Sequence, residues 1–169
     1  MIPFKSPGQV VTEGKFSSYM NTEGWEYIAR KNDTPVITIV AITPEGKLVL
    51  VRQFRKPIDA YALEFPAGLI DAGETPAAAA LRELKEETGY TGKVVRVWGP
   101  LTKSPGITSE LSWLALVRCE NREVPQLQDE EDIEVLEVAP QDVENLWAEH
   151  SESSIISMGI MLLFSVYQY

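Results

Sequence analysis

Residues 68–90 read GLIDAGETPAAAALRELKEETGY, and no other segment constrains the chain as tightly. Its centre demands a helix with a defined start and stop. Thr75 suits the N-cap, and Pro76 suits the first helical position, where a missing N–H costs nothing. The alanines that follow are the best helix formers, and Gly89 stands where a left-handed C-terminal cap belongs. Ala77, Ala80, Leu81 and Leu84 form an apolar stripe turned toward a core. Glu83, Glu86 and Glu87, spaced i, i+3 and i+4, share the flank of that stripe. Carboxylates so close raise one another's pKa and weaken the helix unless positive charge sits among them. A solvated acidic face beside Arg82 and Lys85 is one answer. A divalent cation is the other, and all-oxygen ligands favour a hard ion such as Mg²⁺, completed by water and substrate phosphates.

The spacing extends beyond the helix. Gly68 is followed after five residues by Glu74, and after seven more by Arg82-Glu83-Leu84, then Glu86-Glu87 and Gly89-Tyr90. This matches the Nudix box position by position, with Tyr90 where an aliphatic residue is more usual. The chain therefore resembles the Nudix hydrolases, which cleave a nucleoside diphosphate linked to another moiety. That resemblance implies an α/β/α sandwich around a mixed sheet.

The rest of the chain is compatible with such a fold. Val36–Ile42 and Lys47–Phe54 are β-rich runs joined by Thr43-Pro-Glu-Gly-Lys47, a hairpin turn. Tyr61–Phe65, Lys93–Trp98, Ser112–Arg118 and Ile133–Val138 are further strand candidates, and helices are expected over Gln141–His150 and Ser153–Tyr167. Strands mixed with three helices, without strict βα alternation, point to a mixed sheet between helical layers. Ahead of this body, Gln9–Met20 and Trp25–Arg30 form an antiparallel β ribbon turned at Asn21–Gly24. A two-stranded ribbon is marginal alone, so it must pack on something. A boundary at Lys31–Thr34 divides the chain into a ribbon, 1–33, and a catalytic body, 34–169.

Composition excludes several classes of function. A formal charge of −10 argues against a nucleic-acid partner held by phosphate contacts, yet permits a small anion where bound metal inverts the local field. The apolar run Ile155–Val166 is too short to span a bilayer. The single cysteine, Cys119, rules out an intrachain disulfide and suits a reducing cytoplasm; its apolar neighbours point to buried packing. The single histidine, His150, falls late in a helix and reads as a C-terminal helix residue.

Within the Nudix hydrolases, Leu63-Glu-Phe-Pro-Ala-Gly-Leu-Ile70, Val51-Arg-Gln-Phe-Arg55 and Ser104-Pro-Gly-Ile-Thr-Ser-Glu110 resemble the ADP-ribose and ADP-sugar pyrophosphatase branch. That likeness implies metal ligation by the Ala67 carbonyl, Glu83 and Glu87, with Glu86 bridging or binding water. Arg82 is expected to orient Glu86 or Glu83 through a salt bridge. Arg55, and less directly Arg52, would face the diphosphate, where a fork of donors suits phosphate oxygens; a surface ion pair is the alternative. Pro105 and Gly106 mark the ADP-ribose class in the loop after the box. Phe16 and Trp25 would clasp the base from different subunits of a homodimer, or else simply anchor the ribbon. The acidic run Gln128–Asp132 offers Glu131 as a further ligand and Asp129 or Glu130 as the general base, with Glu110 a third option.

The reaction so implied is Mg²⁺-dependent (or Mn²⁺-dependent) hydrolysis of the diphosphate bond of ADP-ribose or a related nucleotide sugar. The products would be a nucleoside monophosphate and a sugar phosphate. One rival reading changes the substrate to GDP-mannose or another nucleotide sugar. Another, of a different class, is a non-catalytic nucleotide sensor, against which stands the presence of every acid of the box.

Overall fold

The run Val36–Ile42 carries no polar side chain except Thr38, so as a strand it can be covered on both faces. It is. In the computed structural model, which describes residues 8–127 and 132–167, Ile37, Ile39 and Ala41 are fully buried in one core. Val40 and Ile42, on the opposite face, pack against a second. The chain runs β1 (Gln9–Glu13), β2 (Ser17–Thr22), β3 (Trp25–Arg30), β4 (Val36–Ile42), β5 (Leu48–Arg55), β6 (Ala60–Glu64), β7 (Ala67–Leu69) and α1 (Pro76–Thr88). Then follow β8 (Tyr90–Thr102), β9 (Leu111–Arg122), β10 (Ile133–Val138), α2 (Val143–His150), β11 (Ile155–Ile156) and α3 (Met158–Tyr167).

The main sheet is mixed. Its order is β11-β6-β5-β4-β9-β8, with β10 on the free edge of β5 and β7 on β4. β4/β9 and β11/β6 are parallel; the other pairs are antiparallel. The first core joins β4, β8 and β9 to Ala79, Ala80 and Leu84 of α1. The second joins Leu48, Leu50, Leu63 and Phe65 to Leu146 of α2 and Ile160 of α3. The sheet thus lies between helical layers, as an α/β/α sandwich requires. Full burial of a side chain such as Leu84 contributes about 2 kcal/mol.

One irregularity positions the site. β4 and β5 pair only next to their hairpin, at Ala41/Val49 and Ile42/Leu48. Beyond that they splay, β6 taking over beside β5 and β7 beside β4. Phe65-Pro66 crosses the gap, tied by the Ile39 N–H donating to the Pro66 carbonyl at 2.8 Å. β7 thereby lies under α1.

Four elements differ from expectation. The N-terminal ribbon is a three-stranded antiparallel sheet, because Gly14 donates to the Ser17 carbonyl (2.8 Å) and folds Gln9–Met20 into two strands. Its small core is Met20, Tyr27 and Ala29. It packs on the body: Ile28 exchanges backbone bonds with Ile107 (2.9 Å) and Ser109 (3.1 Å) in the loop before β9. The span Ser153–Tyr167 is not one helix, since Ile155–Ile156 pairs with Ala62–Leu63 before α3 begins. β8 outruns Lys93–Trp98 at both ends, its bulges absorbing Gly92 and Gly99-Pro100. β7 was not anticipated. No helix among the described residues is long and apolar enough to cross a membrane.

Candidate active site

The helix that carries the acids is capped as its residues demand. Thr75 Oγ1 accepts from the Ala78 N–H (3.2 Å), and Gly89 adopts φ 76°, its N–H donating to the Lys85 carbonyl (2.9 Å). A side chain at Gly89 would also strike the Glu123 carbonyl. Capping fixes the rotation of α1, so Leu84 enters the core while Glu83, Glu86 and Glu87 line the side facing β7.

Glu83 presses on the backbone of β7. A Cβ added to Gly68 would lie 1.9 Å from its carboxyl carbon, which explains why the box needs glycine there. Buried Glu87 accepts from the Ala67 N–H at 3.2 Å. Glu83 thus lies against Gly68 and Glu87 against Ala67, on the strand that the splay of β4 and β5 sets under α1.

Arg82 is the counter-charge. Its guanidinium grips Glu74 with two bonds (3.1 and 2.9 Å), donates to Glu83 (2.8 Å) and Glu86 (3.2 Å), and reaches the Leu69 carbonyl (2.9 Å). Those bonds hold the Glu74 carboxyl below its ordinary range and push the guanidinium pKa further up. Sequence reasoning assigned Arg82 to Glu86 or Glu83; the geometry adds Glu74 as its main partner, a residue whose only signal was its place in the box. Lys85 turns away to Glu123 (3.1 Å). Four carboxylates (Glu74, Glu83, Glu86, Glu87) against one guanidinium leave a formal −3. Hard oxygen donors with excess negative charge are the chemistry of a divalent-cation site. The donor set fits one, although among the described residues no three acids yet converge as ligands, Glu83 and Glu86 being drawn to Arg82.

A NUDIX domain is matched over residues 33–156. The chain belongs to the NUDIX family. Its relatives in that family include an ADP-ribose pyrophosphatase of Bacillus subtilis (strain 168), 41% identical over 108 residues, covering 63% of this chain and 58% of the relative. An ADP-sugar pyrophosphatase of Mus musculus is 39% identical over 118 residues, covering 60% of this chain and 54% of the relative. The chain thus spans just over half the length of these relatives. A crystal structure of an ADP compounds hydrolase shares the fold with a TM-score of 0.60 at 24% identity, covering 81% of this chain and 80% of that one.

Around the NUDIX box the other expected residues fall into three groups. Arg55 lies in a hollow with Ile58, Ile155 and Ser157, its Nε donating to Glu64 at 2.7 Å. Arg52 stacks 3.8 Å over the Tyr61 ring, donates from Nε to Ser154 Oγ (2.8 Å) and bonds Glu134 through Nη1 (3.3 Å). Trp25 and Pro105 face each other across a cleft of about 360 Å³ between the N-terminal sheet and the loop before β9, with Gly106 in the turn beside Pro105. Phe16 is not in that cleft. It is 70% exposed, with Lys15 over its ring at 4.8 Å.

Among the carboxylates considered as bases, Glu110 is held 2.5 Å from Arg30 Nε. Asp129, Glu130 and Glu131 lie outside the described residues. The flanks of their segment are described: Gln126 donates its N–H to the Glu86 carbonyl (2.8 Å), and Asp132 accepts from the Tyr61 hydroxyl (3.0 Å). Cys119 is buried, which pushes its thiol up to about 11 and leaves it inert at neutral pH. His150 ends α2, where its carbonyl accepts from Ser153 and Ser154.

Proposed function

We propose that this NUDIX protein hydrolyses the diphosphate bond of ADP-ribose or a related nucleoside diphosphate sugar, using Mg²⁺, or Mn²⁺ in its place. The reading rests on one observation above the others: a complete box whose acids gather around Arg82 against β7, carrying excess negative charge. The names of the relatives support the substrate class.

Glu83, Glu87 and the Ala67 carbonyl would hold the cation, with Glu86 and Glu131 contributing. When bound, the ion would neutralise the diphosphate and lower the pKa of the attacking water. Arg82 positions Glu83 and Glu86 beside β7. Arg55, released in part from Glu64, meets a phosphate oxygen with its donor fork. Trp25 and Pro105 supply apolar walls for the base. The water proton falls to a carboxylate outside the helix: Glu110 among the described residues, or Asp129 or Glu130. The exposed β1 strand and Phe16 suit a homodimer built through the N-terminal sheet, and the buried thiol suits the cytoplasm.

A panel of ADP-ribose, GDP-mannose and UDP-glucose, with Mg²⁺ and Mn²⁺ and products weighed by mass spectrometry, tests the reading. ADP-ribose should yield AMP and ribose 5-phosphate, and a chelator should stop it. Preference for GDP-mannose would move the substrate; no turnover of any member would overturn the reading.

A further inference from the structure

Val49 belongs to the core that holds α1, so Val51, Gln53 and Arg55 continue that face of the sheet. Glu64, opposite Val51 on β6, shares it. Arg52 falls on the other face, opposite Leu63 of the second core. Of the two arginines considered for the diphosphate, Arg55 is thus the one on the side of the α1 acids. Its ion pair spans an unusual length of sheet. Arg55 stands opposite Ala60, and Glu64 lies four residues further along β6. The two side chains must reach toward each other along the strand, and the small Ala62 between them lines the same hollow of about 350 Å³. Contact is made by Arg55 Nε at 2.7 Å, which leaves Nη1 and Nη2 without a hydrogen bond among the described residues. Glu64 likewise bonds nothing but Arg55 among the described residues.

An exposed ion pair contributes little to stability, and holding an arginine in one pose costs side-chain entropy. What this pair fixes is direction. A guanidinium gripped at Nε keeps its end edge open, and the two nitrogens of that edge match two oxygens of a phosphate group. The grip comes from a well-anchored place. Glu64 runs directly into Phe65-Pro66, whose crossing sets Ala67 and β7 under α1. We propose that Glu64 is a positioning residue: it holds Arg55 by Nε so that Nη1 and Nη2 meet the diphosphate. The inference rests on the diphosphate reading given above and deepens it. Arg55 gives up only part of what it shares with Glu64, because the Nε bond persists while the fork is occupied.

Glu64→Ala frees the arginine, whereas Glu64→Gln keeps an acceptor for Nε and removes only the charge. In Glu64→Ala, KM for ADP-ribose should rise about tenfold with kcat held, and Glu64→Gln should recover most of that loss. Arg55→Ala/Glu64→Ala should be no worse than Arg55→Ala, since Glu64 acts only through Arg55. An additive double variant would mean that Glu64 touches substrate or metal itself, which overturns the positioning role. So would a Glu64→Gln protein as impaired as Glu64→Ala. A purely structural pair would lower the melting temperature and leave KM alone, again overturning it. Calorimetric titration with ADP, which carries the diphosphate without the sugar, makes the two readings fail separately. A parent that hydrolyses ADP-ribose, with KM and ADP affinity unchanged in Glu64→Ala, sinks the role of Glu64 and spares the activity. A parent that cleaves no nucleotide sugar, yet binds ADP about tenfold more tightly than Glu64→Ala does, gives the reverse.

Discussion

The acidic face of α1 and the cleft under the N-terminal sheet are built on opposite plans. At α1 the contacts are dense: Arg82 alone makes five hydrogen bonds, and Glu83 rests on a backbone with no room for a side chain. In the cleft the walls are an exposed tryptophan and a loop proline. The first region is assembled from twenty-odd contiguous residues. The second joins segments some eighty residues apart through Ile28–Thr108 and Arg30–Glu110. The difference teaches that the acidic face of α1 is held in place by its own contacts, while the cleft is not.

That comparison can be broken most severely at Glu87. Glu87→Gln should lower kcat by at least about 100-fold with little change in melting temperature. Trp25→Ala should act mainly on KM. If the two variants shift the same kinetic parameter, chemistry and recognition are not divided as described.

Arg82→Ala comes next. It leaves Glu74, Glu83 and Glu86 without their guanidinium, so activity should fall about 10- to 100-fold. Stability should fall by about 2 kcal/mol, between the values for exposed and buried ion pairs. Chemical denaturation beside a kinetic assay would measure both.

A smaller effect concerns acid. Glu74 has its carboxyl lowered from 4.5, first by its bond to Arg82. A carboxylate depressed in the folded state stabilises fully above its unfolded pKa, and loses that contribution as pH falls through the folded value. Melting curves of the parent should therefore decline below about pH 4.5, and Glu74→Gln should flatten that decline. An unchanged acid limb would remove Glu74 from the network.

The smallest effect is expected at the seam. Arg30 is 40% exposed, so a double-mutant cycle with Glu110 should give a coupling of about 1 kcal/mol or less. Arg30→Ala alone, which keeps the Glu110 carboxylate, should raise KM, because the pair helps to seat the sheet over the cleft.

The two regions were unequally legible for the same reason. Thr75, Pro76 and Gly89 announce α1 because capping depends on neighbours within four residues. Val36–Ile42 announces a central strand because burial on both faces demands an unbroken apolar run. By contrast β7 and β11 have three and two residues, too few for any period, and exist because β4 and β6 offer them an edge. Ile155 and Ile156 read as part of an apolar helix, and tertiary pairing overrode that preference. The third strand of the N-terminal sheet depended on a turn at Gly14 inside a run that looked continuous. Within the site, the acids and Arg82 could be named from spacing. Glu64 as the partner of Arg55 needed the fold.

The central claim is that the acidic face of α1 holds a divalent cation. Its most direct test is Mn²⁺ binding, followed by electron paramagnetic resonance, to the parent and to Glu83→Gln/Glu87→Gln. The account predicts bound Mn²⁺ in the parent, displaced by Mg²⁺, and its loss in the doubly substituted protein at an unchanged melting temperature. Equal Mn²⁺ affinity in the two proteins would contradict it.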